Sequence, residues 1–452
     1  MPTATKSIWQ ALLNRRMLIC IFIGFSSGLP YFVFYNLIPA WLSTEGVSLR
    51  EIGLFALVSF PYTWKFLWAP AMERFIPPFL GHRRGWMLIT QLALVISIAA
   101  LGFLQPEMSI VLVAWLAGAI AFFSASQDIV LDAYRRELLP DDELGLGNSI
   151  HVTAYRVSAL IPGSLGLILA DHIPWREVFV IIAAFMFVGI VLTALISEAQ
   201  KNAVMPRNFK EAVINPFSEF INRKGWRSAL LILGFMFLYK LGDTMATALS
   251  TPFYLDLGFS KTEIGVIAKN AALWPAIIGG LLGGLLMVKT GINRALWLFG
   301  FVQIVTILGF AALAEIGNNN LALATVVALE YLGVGLGTAA FVAFIAKSTS
   351  KHHVATQFAL FTAFAATPRT FANAITGYLV EGYEQDNVLT QTLALLGLPE
   401  NGMGWTNFFL FCTAMAIPGM LMLLKVAPWN GENKGSMAIE NSATSVEGKS
   451  VL

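Results

Sequence analysis

Apolar residues in this chain gather into runs separated by short polar stretches, at 17–40, 52–72, 86–104, 109–133, 150–170, 176–196, 228–254, 264–287, 294–315, 321–346, 356–380 and 405–426. A helix needs about 20 apolar residues to cross the hydrocarbon core of a bilayer, so the pattern predicts an all-α polytopic membrane protein with twelve transmembrane helices. The composition agrees, with 57% hydrophobic and 12% charged residues and a mean hydropathy of +0.69. The first run is too long for the core of a signal peptide and has no convincing cleavage site, so it is read as an uncleaved span.

The basic residues fall unevenly between these runs. The segments before the first span, between the second and third, fourth and fifth, sixth and seventh, eighth and ninth, and tenth and eleventh spans, and after the twelfth hold 21 of the 29 Lys and Arg. The opposite loops hold Arg50, Arg176 and Lys261. Both termini are therefore expected on the cytoplasmic side. Nucleic-acid binding would need a basic domain, and no such block exists. Cys20 and Cys412 both lie in apolar runs, so neither a disulfide framework nor a metal site is indicated.

The longest polar stretch between spans divides the chain into an N-terminal six-helix bundle, 1–197, a linker, 198–227, a C-terminal six-helix bundle, 228–429, and a polar tail, 430–452, expected to be disordered. In the linker, Phe209, Val213, Phe217, Phe220 and Ile221 recur at helical spacing among basic residues. That pattern suits an amphipathic helix on the cytoplasmic leaflet, or a charged linker folded back on the bundle. The halves also repeat one another. Gly46-Val-Ser-Leu-Arg-Glu51-Ile-Gly53 matches Gly258-Phe-Ser-Lys-Thr-Glu263-Ile-Gly265, and Arg156 and Arg369 stand 213 residues apart in the fifth and eleventh spans. Six plus six helices in parallel repeats imply the major facilitator fold, with a substrate site between the halves near the midplane.

Nine ionisable side chains fall inside the apolar runs: Lys65, Arg156, Lys240, Lys269, Arg369, Asp128, Asp132, Asp243 and Glu330. Each would cost about 2.5 to 3.5 kcal/mol unpaired at the bilayer centre, so they must meet one another, a polar cavity or the membrane edge. Such a set suits a polar transport route better than an inert anchor. Asp128 and Asp132 share one face of the fourth span and form a pair able to take a proton on one side and release it on the other. Asp132, close to Arg135 and Arg136, has an interfacial salt bridge as its alternative. Lys240 and Asp243, three residues apart, pair either permanently or as a dynamic coupling element, and a network with Lys269 is geometrically reasonable. Arg156 and Arg369 offer bidentate recognition of carboxylates; alternatively they neutralise the acidic groups, with Arg156 to Asp128 the economical pairing. Lys65 is expected to snorkel to the interface.

Uncharged groups complete the expected lining. Tyr31, Tyr35 and Asn36 lie well inside the first span, and Gln127 and Asn270 add amides elsewhere. Gly279, Gly280, Gly283 and Gly284, with Gly333, Gly335 and Gly337, read as close-packing stripes rather than phosphate loops. No P-loop, HExxH pair or nucleophile elbow appears, so the chain is not expected to be an enzyme or to use a cofactor, metal or ATP.

Two sets of residues carry a resemblance. Glu73-Arg74 followed by Gly81-His82-Arg83-Arg84 is similar to the loop motif of major facilitators, with glutamate for aspartate and an insertion bearing Pro77 and Pro78. The resemblance implies a gating role for Glu73, Arg74, Arg83 and Arg84; the alternative is simple topology marking. More specifically, Phe25-Ser-Ser-Gly28-Leu-Pro30, Lys65-Phe-Leu-Trp-Ala-Pro70, Arg83-Arg-Gly-Trp86, Ser124-Ala-Ser-Gln127-Asp128-Ile-Val-Leu-Asp132-Ala, Tyr239-Lys-Leu-Gly-Asp243 and Thr356-Gln-Phe-Ala-Leu360 resemble the AmpG-type muropeptide permeases. That implies proton-driven import of anhydro-muropeptides across the bacterial inner membrane, in peptidoglycan recycling, with consequences for β-lactamase induction. It makes Gln127, Asp128 and Asp132 the leading functional group and Lys240 with Asp243 the second. The chain departs from longer members by ending after twelve spans, and 381–404 is read as an extended outer loop. The expected partners are the muropeptide, protons and the bilayer, with the protein acting as a monomer. A siderophore or acetyl-CoA importer of the same superfamily, and a transport-dead receptor, are the rival readings.

Overall fold

The computed structural model describes residues 14–140, 143–198, 215–349, 354–384, 388–395 and 397–430, and the secondary structure among them is helical. Nine stretches are long and apolar enough to cross a membrane among the described residues. One of them, Lys261–Ile316, contains two of the expected spans, parted at Gly291, whose φ of 76° is a conformation that glycine alone adopts readily. Two other expected spans are each built from more than one helix. The second runs through Leu49–Val58, Phe60–Trp64, Lys65–Leu67 and Ala69–Arg74, and the eleventh through Val354–Ala374 and Thr376–Glu381. The twelve apolar runs are all represented by helix.

The breaks in the second span have a local cause. Pro61 and Pro70 lack a backbone N–H and each stands in the first turn of a new helix. Between them the backbone tightens into a 3-10 turn that carries Lys65. The first span widens instead. At Val33–Leu37 it makes a π turn, in which the N–H of Ile38 donates to the carbonyl of Val33. Similar wide turns occur at Ile161–Leu165 and Ile264–Ala268.

By packing, the chain forms two compact units. The first comprises Met1–Ile214, Leu249–Leu273 and Asn373–Gly402, and the second Asn215–Ala248, Trp274–Ala372 and Met403–Leu452. Within the first unit, Gly28 lies so close to the fifth span that a Cβ there would stand 2.4 Å from the Tyr155 carbonyl and 2.3 Å from Ser158 Oγ. The repeated sequence blocks fold alike. Ser48 with Glu51, and Ser260 with Glu263, each form a capping box at a helix start. Glu381 accepts from the backbone N–H groups of Leu49 and Arg50, and Asp171 from that of Thr262.

In the second unit, Phe235, Tyr239, Phe299, Phe341 and Phe361 belong to one buried cluster, joined by Phe220 from the linker. The helix Asn215–Lys224 buries Phe220 against Phe361, with ring centroids 4.6 Å apart, and Arg223 donates to the Ser348 carbonyl at 3.0 Å. This part of the linker therefore folds back on helices. Phe209 and Val213, and the tail from Gly431, lie outside the described residues. The segment read as an extended loop contains a helix, Val388–Leu395, because Leu393 is buried beside Tyr378 and Tyr383 and the Tyr383 hydroxyl ties Leu398 at 2.7 Å. Many large apolar side chains, among them Ile96, Trp115, Leu285 and Val288, are exposed, as a lipid-facing surface requires.

Gly28→Ala is expected to destabilise the protein by about 1–3 kcal/mol through overpacking, because carbonyl backbone cannot step aside. Gly284→Ala, whose Cβ would meet nothing within 4 Å, should be neutral or slightly stabilising. Thermal unfolding of the two variants in detergent checks the contrast.

Candidate functional site

In the first unit the polar site is built around Asp128. Its carboxylate accepts a hydrogen bond from Ser27 Oγ at 2.6 Å and lies 3.6 Å from Lys65 Nζ. Lys65 does not snorkel to an interface, as its position suggested; the 3-10 turn points it at the fourth span. Asp128 is thus paired with Lys65, where chain adjacency had favoured Arg156. Asp132, one helical turn on, is half exposed and bonds Arg135 at 2.9 Å, the interfacial arrangement weighed as its alternative.

An aromatic wall adjoins this pair. Tyr31 lies 4.5 Å from Tyr35, 5.2 Å from Tyr62 and 5.7 Å from Tyr155, centroid to centroid. Rings at these separations and tilts pack favourably, and Tyr35 keeps 39% of its surface open. The wide turn of the first span places Asn36 where its Oδ1 accepts from Lys269 Nζ at 3.2 Å, and Lys269 also donates to Thr251 Oγ1 at 2.7 Å. Both of these partners are neutral oxygens that solvate the Lys269 ammonium. Asn270 turns its amide to the Val266 carbonyl. Arg156 lies in the same unit and is partly buried.

Gln127 is fully buried and donates to Ser26 at Oγ, 2.8 Å, and at the carbonyl, 3.2 Å. It clasps the first and fourth spans together rather than opening onto the aromatic wall.

The loop between the second and third spans is tied down by acids that its own motif does not contain. Arg83 is buried and bonds Glu137 at 2.7 Å, with side chains only 4% and 1% exposed. Glu198 accepts from the backbone N–H of Arg83 and of Arg84, at 2.6 and 3.1 Å, satisfying two of the open donors at a helix start. Arg84 donates to the carbonyls of Thr193 and Ala194. Arg74 is exposed, and the side chain of Glu73 lies outside the described residues.

The second unit holds a separate cluster. Lys240 and Asp243 form a close ion pair, both nearly fully buried, and Gln303 Nε2 donates to Asp243 Oδ2 at 2.9 Å. Gln303 extends the pair into a network within this unit. Arg369 sits with its guanidinium 5.8 Å from the centre of the Phe341 ring, within the range of a cation–π contact. Ser27, Thr251, Gln303, Glu137 and Glu198 were not singled out from the sequence. Serine, threonine and glutamine are less costly in an apolar run than a charge and so stand out less, and the two glutamates lie at helix ends where acids are ordinary.

The sequence matches the Major Facilitator Superfamily over residues 20–373. The chain belongs to that superfamily, among its AmpG-type permeases. It is 38% identical to the "Anhydromuropeptide permease" of Escherichia coli K12 across 90% of this chain and 79% of that protein. It is also 30% identical to "Putative transporter AmpG 1" of Rickettsia conorii, across 91% and 98%. An uncharacterized protein of Haemophilus influenzae is 46% identical across 96% and 100%. Among solved structures, a mutant of the nucleoside transporter NupG superposes with a TM-score of 0.69 at 11% identity, covering 91% of this chain and all of that one. A D-xylose-proton symporter gives 0.66 at 11%, covering 92% and 98%. At that identity these two speak for the fold. The protein is thus a multi-pass membrane transporter.

Arg83→Ala is expected to cost about 3–5 kcal/mol by leaving Glu137 buried and unpaired. Arg83→Ala combined with Glu137→Ala should recover much of that loss. Unfolding temperatures of Arg83→Ala, Glu137→Ala and the double variant measure the coupling; a double-variant loss equal to the sum of the two single losses would show that the pair contributes nothing beyond packing.

Proposed function

We propose that the chain imports N-acetylglucosaminyl-1,6-anhydro-N-acetylmuramyl peptides together with protons across the bacterial inner membrane, by alternating access, in peptidoglycan recycling. The observation that carries this reading is the 38% identity with the E. coli anhydromuropeptide permease over 90% of the chain. The chemistry of the sites supports it. A disaccharide-peptide presents flat sugar faces, hydroxyls and carboxylates. Tyr31, Tyr35, Tyr62 and Tyr155 offer ring faces, and Asn36 with Lys269 and Asn270 offers hydrogen-bonding groups. Arg156 and Arg369 are the carboxylate anchors in this reading, and Gln127 acts by holding the first and fourth spans in register.

Asp128 is the proton-coupling group. It is ion-paired to Lys65 across 3.6 Å, a loose contact that a proton on the carboxylate would dissolve, freeing the ammonium for an anionic substrate. Lys240 with Asp243 is the corresponding pair in the second unit, and Asp132 serves at the membrane edge. Arg83 and Arg84, with Glu73 and Arg74, form the gate on the cytoplasmic side, opening as the bonds to Glu137 and Glu198 are exchanged. The six-helix halves 1–197 and 228–429 are the moving bodies, joined by 198–227, with both termini cytoplasmic and the monomer as the working form.

Uptake of labelled anhydro-muropeptide into proteoliposomes tests this reading. One proton entering with a neutral solute gains about 2.3 kcal/mol per 100 mV, enough for accumulation more than tenfold. Asp128→Asn is expected to remain folded in the membrane and to lose that accumulation. Accumulation retained by Asp128→Asn would remove it from the coupling role, and no uptake by folded wild-type protein would exclude the substrate.

A further inference from the structure

The buried cluster of the second unit contains a carboxyl that the reading above leaves unused. Glu330, on the tenth span, is 0% exposed, and neither of its carboxyl oxygens makes a hydrogen bond among the described residues. Gly333 and Gly337 stand on the same helix face, three and seven residues on. They press that face against the ninth span, since Cβ atoms there would lie 3.0 Å from Thr306 Oγ1 and 2.2 Å from Gln303 Oε1. Glu330 is therefore turned toward the Lys240, Asp243 and Gln303 network rather than toward lipid.

The groups whose charge or polarity reaches Glu330 are Thr306, Asp243 and Lys240, with Cys412 of the twelfth span near enough to feel its charge. The hydroxyl and the ammonium among them bond other oxygens. Lys240 and Gln303 both donate to Asp243 Oδ2, and the Thr306 hydroxyl donates to the Gln303 carbonyl at 3.1 Å. Arg369, from the eleventh span, acts on Asp243. An ionised carboxylate is an acceptor-only group, and burying one without donor or counter-ion carries a penalty of several kcal/mol. A neutral carboxylic acid in the same place avoids the charge term.

We propose that Glu330 carries a proton in the transport cycle and shares the ammonium of Lys240 with Asp243. In the arrangement described here Glu330 is the neutral acid and Lys240 is bound to Asp243. When water reaches the cluster, the Glu330 proton passes to it and the new carboxylate draws Lys240 away on its flexible four-carbon stem. Asp243 then keeps Gln303 as its donor. Reprotonation of Glu330 returns Lys240 to Asp243, so one proton is taken up and released per exchange of partner. This assignment rests on the proton-coupled reading above and adds a second proton-handling residue to Asp128.

Full-length wild type and Glu330→Gln, reconstituted in proteoliposomes, are compared by two measurements. Infrared spectra should show a protonated-carboxyl carbonyl band in wild type that is missing from Glu330→Gln. Gradient-driven accumulation of labelled anhydro-muropeptide should fall roughly tenfold or more in the variant, the advantage one proton supports. Exchange of labelled for unlabelled substrate without a gradient should fall much less. Wild-type-like accumulation by Glu330→Gln, or an unchanged infrared spectrum, overturns the proposal. If the variant loses exchange as well, the loss or persistence of the band decides. If wild-type vesicles take up no muropeptide, that result counts against the proposed substrate, and the infrared comparison still tests Glu330.

Discussion

A bilayer interior offers no water to a charge, and that one constraint organises the polar chemistry of this protein. Charged groups inside the apolar spans have been brought to partners, some of which chain position alone would not choose. Lys65 meets Asp128 across two spans, Lys240 meets Asp243 within one, and Lys269 is held by two neutral oxygens. These contacts differ in tightness and in whether charge is cancelled. Asp128 has a loose ion partner and a hydroxyl donor; Asp243 has a close ion partner and an amide; Glu330, among the described residues, has neither. A carrier needs such inequality, because groups that are already perfectly neutralised have nothing to exchange with substrate or proton.

The same positions are where the helices depart from regular geometry. Lys65 sits in the 3-10 turn between two prolines, Asn36 in the π turn of the first span, and Lys240 at the interruption between Trp226–Leu238 and Leu241–Ala248. Irregular turns free backbone groups and aim side chains across the bundle. They are also the points at which a helix can bend without breaking its neighbours' packing. Against them stand the rigid contacts: Gly28 closing on Tyr155 and Gln127 clasping Ser26. Fixed and adjustable elements alternate along the same helices.

Much of the architecture could be read from the residues. Apolar length identified the spans, including those that the prolines divide, and the internal repeat proved to be a matched pair of capping boxes at Ser48–Glu51 and Ser260–Glu263. The buried charges were legible because each is costly in an apolar run. Their partners were less so. Which cation reaches Asp128 depends on how the second span is broken and rotated, a tertiary fact that favours Lys65 over Arg156. Gln303 and Ser27 escaped notice because polar uncharged residues insert cheaply and leave no pattern. Gln127 showed the opposite difficulty. Its motif set it among the leading functional residues, and only packing reveals that it joins helices. The short helix Val388–Leu395 was missed because eight residues are too few to cross a bilayer and its burial depends on packing against Tyr378 and Tyr383.

In the proposed mechanism, carboxylates in these clusters trade their partners for protons as substrate moves. The most direct measurement is proton movement driven by substrate alone, read by a pH-sensitive dye sealed inside proteoliposomes with no gradient imposed. The account predicts that anhydro-muropeptide added outside acidifies the lumen of vesicles holding inward-transporting protein, and that a protonophore erases the signal. Substrate entry at the same rate with no change in internal pH would contradict it.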